Sequence, residues 1–161
     1  MAAQIGAPAA AARAHEELFA YWASLRAGGR LPGRRDIDPA RFKRHLPGVC
    51  LIDVADDPLD FRVRLAGTGL YGVYGGEITG RRLADVYAPG ALEYWRGELA
   101  QVVGEQRPAV GAHNLAWRGA SHLSILWLRL PLASDGRRVD MILGFDAVVG
   151  MSQAATGIRA A

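Results

Sequence analysis

Residues 61–76 read FRVRLAGTGLYGVYGG, and this stretch decides the fold. Gly67, Gly69 and Gly72 have the G-x-G-x-x-G spacing of a dinucleotide-binding turn. Such a turn needs a strand buried on both faces before it and a long helix directly after it. Here the preceding segment FRVRLA alternates apolar residues with two arginines, which is typical of an antiparallel strand with one exposed face. Because Gly75-Gly76 then interrupts the following helix, we predict that this segment does not bind a nucleotide.

The residues before this stretch predict two helices and a strand. In residues 12–27 apolar side chains recur at helical spacing, so we expect an N-terminal helix there. Asp38-Pro39 is a helix start, with the aspartate as N-cap and the proline at the first helical position. The run VCLIDV predicts a strand, and the short turn after it joins it to FRVRLA as an antiparallel hairpin.

The residues after position 86 predict one long helix and three strands. Residues 89–106 carry an apolar stripe at helical spacing. We expect a two-residue turn at Gly119-Ala120, which would pair His113 with Leu126. On this register one face of the hairpin carries His113, Leu115, Trp117, Ser124, Leu126 and Leu128, and the other carries Asn114, Ala116, Leu123, Ile125 and Trp127. The predicted fold class is α+β, a five-stranded antiparallel sheet with helices packed on it and an extra N-terminal helix.

Length and composition predict a single domain. We expect flexible tails at residues 1–11 and 151–161 and one domain over 12–150, with the sheet and its helices in residues 47–150. No apolar run approaches the ~20 residues needed to span a membrane. Cys50 is the only cysteine and the N-terminus lacks the regions of a signal peptide, so we expect a cytoplasmic protein without disulfides.

The net charge of +3 comes from one segment. Residues 30–44 contain six basic residues against two aspartates, whereas the rest of the chain is close to neutral. A solvated surface explains such a segment, and an anion-binding or nucleic-acid-binding patch is the alternative.

Two runs of the sequence resemble a known family. They are LRAGGRLPGRRDIDPARFKRHLPGVCLIDV and FRVRLAGTGLYGVYGGEITGRRLADV, residues 25–54 and 61–86. Together they resemble a branch of the PAS domain family, the short stand-alone bacterial PAS proteins. The positions that carry the resemblance are Tyr21-Trp22, Leu25-Arg26, Leu31-Pro32, Asp36 to Pro39, Leu46-Pro47, Arg64-Leu65, Gly67-Thr68, Thr79 to Arg81, and Leu83. The resemblance implies a PAS fold, whose core can hold a ligand, and a sensory or interaction role in which catalysis is unusual.

The resemblance also implies which cofactors to test. Flavin photosensors of this fold use a cysteine in an Asn-Cys-Arg setting on a helix, whereas Cys50 lies in a predicted strand. Haem-binding members supply a histidine from the long helix, and residues 89–106 contain none. His113 and His122 are four positions apart on the expected register, roughly 13 Å at strand rise, too far for one metal ion. We therefore expect no haem, flavin or metal.

No catalytic set is evident in the sequence. Ser121 and His122 are neighbours on a strand and point to opposite faces, so they cannot form a nucleophile and base pair. We therefore predict a protein that is not an enzyme and has no catalytic residues. A small α+β enzyme with a cavity between helices and sheet is the alternative.

A ligand pocket is expected between the sheet, the glycine-rich segment and the long helix. Tyrosine and tryptophan there combine apolar bulk with a polar group, which suits an unidentified small organic ligand. The alternative is that these side chains only fill the core. The candidate ligand-binding residues are Arg64, Thr68, Leu70, Tyr71, Tyr74, Trp95, Leu99, His113, Trp117 and Trp127.

Both faces of the second hairpin are apolar, so both need a cover. Helices cover one face; we expect a homodimer, with residues 14–26 at its interface, to cover the other. A monomer whose N-terminal helix folds back is the alternative. The predicted function is a non-enzymatic regulatory protein that senses a small molecule or docks a signalling-protein partner. Nucleic-acid or anion binding through residues 30–44 is a second hypothesis.

Overall fold

The computed structural model describes residues 4–56 and 60–150. Five strands form one antiparallel sheet in the order β2-β1-β5-β4-β3. The strands are β1 (Val49–Val54), β2 (Phe61–Ala66), β3 (Ala109–Leu115), β4 (Ala120–Leu132) and β5 (Met141–Gly150). The α-helices are α1 (Pro8–Ser24), α2 (Tyr71–Tyr74), α3 (Leu83–Val86) and α4 (Pro89–Glu105). Short 3-10 helices span Arg34–Asp36, Pro39–Gly48, Thr68–Leu70 and Ala116–Arg118. The predicted α+β fold class, with its extra N-terminal helix, is confirmed.

Helix α1 begins earlier than the sequence predicted. Its first residue is Pro8, because proline is well suited to the first helical position, where its missing N–H is not needed. The backbone N–H of Gly6 donates to the Val148 carbonyl at 2.8 Å, so the chain is already bound to β5 before the helix begins. The expected tail over residues 1–11 is thus corrected for residues 5–11. Residues 1–3 and the expected tail at 151–161 lie outside the described residues.

Helix α1 covers the outer face of the sheet. Its buried stripe consists of Ala11, Ala14, Leu18 and Trp22, spaced three to four residues apart. The Trp22 indole N–H donates to the Pro131 carbonyl at 2.8 Å, which ties the helix to the end of β4. Within one chain, α1 therefore supplies the cover for this face, as in the alternative of a helix that folds back. The homodimer stays a prediction.

The β3–β4 connection corrects the register expected from the sequence. The 3-10 turn Ala116–Arg118 replaces the two-residue turn, and a β-bulge lies between Asn114 and Leu115. The Asn114 side chain stabilises this turn, since its Oδ1 accepts the Ala116 N–H at 2.8 Å. His113 consequently pairs with Ile125 and not with Leu126. A shift of one residue exchanges the two faces, so His113 lies on the same face as Ile125 and Trp127.

The glycine-rich segment has a packing role. A Cβ atom on Gly67 or Gly69 would lie 2.5 or 2.7 Å from the carbonyl oxygen of Pro47. Glycine therefore permits the backbone after β2 to lie directly against the end of the 3-10 helix Pro39–Gly48. Gly75 adopts a left-handed conformation (φ 76°) and ends α2 after four residues. The close approach of two backbone segments accounts for Gly67 and Gly69, the first two glycines of the spacing that resembles a nucleotide-binding turn.

Candidate functional site

The inner face of the sheet and helices α2 to α4 enclose a small cavity. Its volume is about 20 Å³, room for about one water molecule. Most of the space between helices and sheet is filled by aromatic and aliphatic side chains. The lining residues are Cys50, Ile52, Val63, Leu70, Tyr74, Ile78, Leu83, Tyr87, Trp95, Leu99, Arg129 and Asp146.

A buried ion pair forms one wall of this cavity. Arg129 on β4 and Asp146 on β5 project from adjacent strands, and each side chain is 1% exposed. The Arg129 Nη1 group donates to Asp146 Oδ1 at 2.7 Å. Gly144 lies opposite Arg129, and a Cβ atom there would come within 2.9 Å of Nη1 and 2.5 Å of the Cys50 Sγ. A glycine at this point therefore provides the room for the guanidinium group.

Two tryptophans surround the guanidinium group. The Arg129 Cζ atom lies 4.7 Å from the ring centre of Trp95 and 5.8 Å from that of Trp127. At these distances both rings make cation–π interactions with the guanidinium group, and these interactions partly replace its lost hydration. Burial lowers the pKa of Arg129, but the charge of Asp146, the hydrogen bond to it and the neighbouring Cys50 and Tyr74 together outweigh burial, and the net shift is upward. The arginine is therefore charged inside the core.

Two tyrosines extend the network from Asp146 toward the helices. The Tyr74 hydroxyl donates to Asp146 Oδ2 at 3.2 Å, and the hydroxyl oxygens of Tyr74 and Tyr87 are 3.0 Å apart. Burial, together with neighbouring groups, raises the pKa of both tyrosines, so both are neutral at physiological pH. Burial raises the pKa of the Cys50 thiol to about 12, which leaves it protonated and a poor nucleophile.

Some hydrogen-bond donors around the cavity are unused. Among the described residues, the buried nitrogens without a partner include Arg129 Nε, Trp95 Nε1 and Trp117 Nε1. Arg129 and Trp95 line the cavity, and Trp117 packs against Tyr87 with 5.1 Å between ring centres. All three nitrogens carry an N–H donor. A buried polar group without a partner is uncommon in native structures, so this cluster marks the site.

The sequence profile of the PAS domain matches residues 10–146. The chain belongs to the PAS domain family. Its fold is similar to the PAS domain of Bordetella pertussis BvgS, at 16% identity over 74% of this chain and 91% of that one, with a TM-score of 0.51. The Rhodobacter sphaeroides LOV protein gives 15% identity, 72% and 70% coverage and a TM-score of 0.52. A PAS domain from Colwellia psychrerythraea is 13% identical over 70% of this chain and 98% of that one, with a TM-score of 0.51. At such low identity these similarities show the fold alone. No curated protein matches the chain.

Four of the predicted ligand-binding residues line the cavity of this PAS domain. They are Leu70, Tyr74, Trp95 and Leu99. Helices α2 and α4 and the 3-10 turn before α2 place them opposite the sheet, as the expected pocket required.

Three further predicted residues, His113, Trp117 and Trp127, do not line the cavity but pack against Tyr87 or Trp95, which do. The rings of Trp127 and Trp95 are 5.4 Å apart between centres, and Trp117 contacts Tyr87. His113 stacks on Tyr94 at 4.1 Å between ring centres. The corrected hairpin register places His113 and Trp127 on the inner face together.

The remaining three predicted residues lie outside the cavity. Arg64 alternates with Val63 along β2, so it points outward, and its Nε lies 3.0 Å from Asp53 Oδ2. Tyr71 donates to Glu77 Oε2 at 2.5 Å on the exposed side of α2. Thr68 is exposed and begins the 3-10 turn without capping it by a side-chain hydrogen bond. The structure therefore does not place these three in the pocket.

Sequence reasoning missed the polar centre of the site. Arg129, Asp146 and Tyr87 were not among the predicted residues, although they form its network with Tyr74. A signal was present: SILWLRLPL and ILGFDAVV each contain one charge within an otherwise apolar strand. Two opposite charges in buried neighbouring strands indicate a pair, because a lone buried charge is too unfavourable.

The described residues carry two further negative findings. No helix among them combines the length and the apolar character needed to cross a membrane. Within the same residues, no group of three or more His, Cys, Asp or Glu side chains is arranged to hold a metal ion.

Proposed function

We propose that this PAS domain is a non-enzymatic sensory or regulatory module whose input is a small organic molecule bound at the inner face. PAS domains are typical of sensory and regulatory proteins, and this chain has the PAS fold. The observation that carries the proposal is the buried Arg129–Asp146 pair facing the cavity.

The energetics of the pair support a role in recognition. Removing both charges from water costs several kcal/mol per ion, and apolar residues of similar volume often stabilise a protein as well as such a pair does. The pair is 1% exposed on each side, so the full desolvation penalty applies. Stability alone therefore does not account for two charges in this aromatic core. Recognition of a polar group in a ligand does.

The titratable groups of the cavity support a non-enzymatic role. A general acid or base works best with a pKa near the operating pH. The pKa values of Cys50, Tyr74 and Arg129 are instead raised, away from neutrality. Each of these groups is therefore held in its protonated form, as suits a binding site.

Native mass spectrometry of protein purified from its own host tests the proposal. We expect the wild-type chain to retain a reproducible extra mass that the denatured chain lacks. The double variant R129M/D146L, which replaces the pair by apolar side chains, should lose this mass while it stays folded. The matched control R64Q/D53N removes the outward-facing ion pair and should retain it. A wild-type spectrum without any retained mass, together with no binding of added small aromatic probes, would reject small-molecule binding and leave partner docking as the function.

The surface of α1 supports a protein partner, and we propose a homodimer through this side of the molecule. Phe19 is 45% exposed on α1 and Ile5 is 54% exposed just before it. Both are exposed on the side of the molecule where α1 covers the outer face of the sheet. Burial of these two side chains against a second copy would be favourable. Light scattering of the wild type and F19E measures this; we expect a dimer that F19E dissociates. A signalling-protein partner and a cytoplasmic location are part of the same proposal.

The basic segment supports nucleic-acid binding less well. Arg44 forms an ion pair with Glu17 at 2.6 Å, Arg34 donates to the Ile37 carbonyl at 3.5 Å, and Arg30 donates to the Asp135 carbonyl. Half of the six basic residues at 30–44 are thus engaged within the chain. Binding to DNA that falls steeply with salt would restore this hypothesis.

A further inference from the structure

Tyr87 separates the cavity from an open groove. The groove has a volume of about 650 Å³ and runs beside α3 and α4, where its walls include Ala84, Leu92, Gly97 and Ala100. Tyr87 lines both the groove and the enclosed cavity. Displacement of this one ring would therefore join the two spaces and give the ion pair access to solvent.

The Tyr87 ring occupies an aromatic slot. It stacks on Trp95 with 5.8 Å between ring centres and an angle of 29°, and it lies 5.1 Å from Trp117. Its edge meets Tyr74, where the two hydroxyl groups are hydrogen-bonded. The slot thus has the dimensions of one six-membered ring with a polar group at its inner end.

Movement of this ring requires rotation of the Tyr87 side chain. Tyr87 follows α3 and precedes α4 in an extended link, with φ −106° and ψ 143°, and Ala88 is also extended. Its backbone N–H donates to the Leu83 carbonyl at 3.0 Å, so the backbone is held to the end of α3 and only the side chain has to rotate out of the slot. Side-chain packing holds the ring in the slot, and packing is what a competing ring can replace.

The polar groups around the slot select the ligand. Among the described residues, the buried N–H donors without a partner include Arg129 Nε, Trp95 Nε1 and Trp117 Nε1 around the slot, and Arg96 Nε beside the groove. They call for a hydrogen-bond acceptor on the ligand. The charge of Arg129 is already balanced by Asp146, so a charged ligand would add an unbalanced charge to the core.

We infer that the sensed molecule is a neutral single-ring aromatic compound with a hydrogen-bond acceptor, such as an aryl ketone or aryl amide. It replaces the Tyr87 ring between Trp95 and Trp117 and accepts a hydrogen bond from one of the unused donors. This inference rests on the proposed function, because it names the class of small molecule that the inner site binds.

Four ring-matched probes test the class of ligand. They are acetophenone, benzoate, benzylamine and ethylbenzene, which carry a neutral acceptor, an anion, a cation and no polar group. ¹H–¹⁵N spectra resolve the indole N–H signals of the four tryptophans, and W95F assigns that of Trp95. We expect acetophenone to shift the Trp95 and Trp117 signals, to leave Trp22 unchanged, and to bind about tenfold more tightly than the other three probes. Equal or tighter binding of any other probe, or no response to acetophenone, would overturn the inference.

Two variants test the displacement of Tyr87. Y87A removes the ring and should bind acetophenone about tenfold more tightly than the wild type, because no side chain has to leave the slot. Y71A, on the exposed side of α2, is the matched control and should bind as the wild type does. If Y87A does not fold, Y87F keeps the ring, loses the hydroxyl bond to Tyr74, and should still bind more tightly. Unchanged affinity in the folded Tyr87 variant would show that this ring does not occupy the ligand site.

The two proposals fail in different ways. A retained compound in host-purified protein that is charged or lacks an aromatic ring overturns the inference and leaves the sensory function intact. A spectrum without retained mass, together with no response to any of the four probes, overturns both.

Discussion

Removal of the negative charge at Asp146 is the sharpest test of the buried pair. D146N keeps the shape of the side chain, so no cavity forms and the change is electrostatic. It leaves the Arg129 guanidinium charged and 1% exposed, with a neutral amide in place of the carboxylate that accepts its bond of 2.7 Å. Breaking a buried pair on one side typically costs about 3–5 kcal/mol. This is a large share of the roughly 5–15 kcal/mol by which a domain is stable.

Urea unfolding at pH 7, followed by circular dichroism and by tryptophan fluorescence, measures this loss. The matched control is D53N, which breaks the ion pair with Arg64, whose side chain is 62% exposed. We expect D53N to change the free energy of unfolding by about 0–1 kcal/mol. The double variant R129M/D146L should be as stable as the wild type or more stable, because it removes both desolvation penalties.

Two results would refute this reasoning. A loss for D146N as small as that for D53N would mean that Arg129 is not desolvated in solution. A double variant as unstable as D146N would mean that the pair itself stabilises the fold. In that case stability would explain its presence, and the argument for a recognition role would lose its main support.

Three further expectations follow from the packing and the titration of the core. G69A should destabilise the protein by about 1–3 kcal/mol in thermal unfolding, because its Cβ would press on Pro47. The control G97A adds a Cβ that meets nothing within 4 Å, so it should stabilise α4 by up to about 1 kcal/mol. Equal effects of the two variants would contradict the close approach of Gly69 to Pro47. W22F should cost about 2–4 kcal/mol, because it leaves the buried Pro131 carbonyl without its donor and shrinks a side chain that is 1% exposed. It should also speed hydrogen exchange in α1, and unchanged exchange would argue against this anchor. Folding raises the pKa of Cys50 from 9.0 to about 12. The stability that the protonated thiol contributes is therefore fully present below pH 9, and the free energy of unfolding should fall as the pH rises from 9 toward 12. C50A should reduce this dependence of stability on pH, and an identical dependence would exclude Cys50 as its source.

Local patterns in the sequence were sufficient for the fold class. Alternation of apolar and polar residues in FRVRLA, the Asp38-Pro39 helix start and the apolar stripe of residues 89–106 each depend only on neighbours along the chain. The same local reasoning rejected a nucleotide site at residues 67–72. The structure explains Gly67 and Gly69 of the rejected motif by contact with Pro47, a residue that no local pattern links to them.

The candidate site depended on how segments far apart in the sequence pair and pack against each other. Leu70, Tyr74, Trp95 and Leu99 could be predicted, because the element order alone places their helices over the sheet. His113 was assigned to the wrong face, since a single bulge after Asn114 shifts the β3–β4 register by one residue.

The sequence by itself determined which elements form and which of their faces are apolar, because those properties follow from spacing along one segment. Only the tertiary structure decided that α1 closes the outer face of its own sheet and that Tyr87 fills a slot beside a groove. It also decided that Arg129 meets Asp146, seventeen residues away, inside the core. The physical reason is that strand register and helix docking are set by the sum of many contacts between segments, which no single segment encodes.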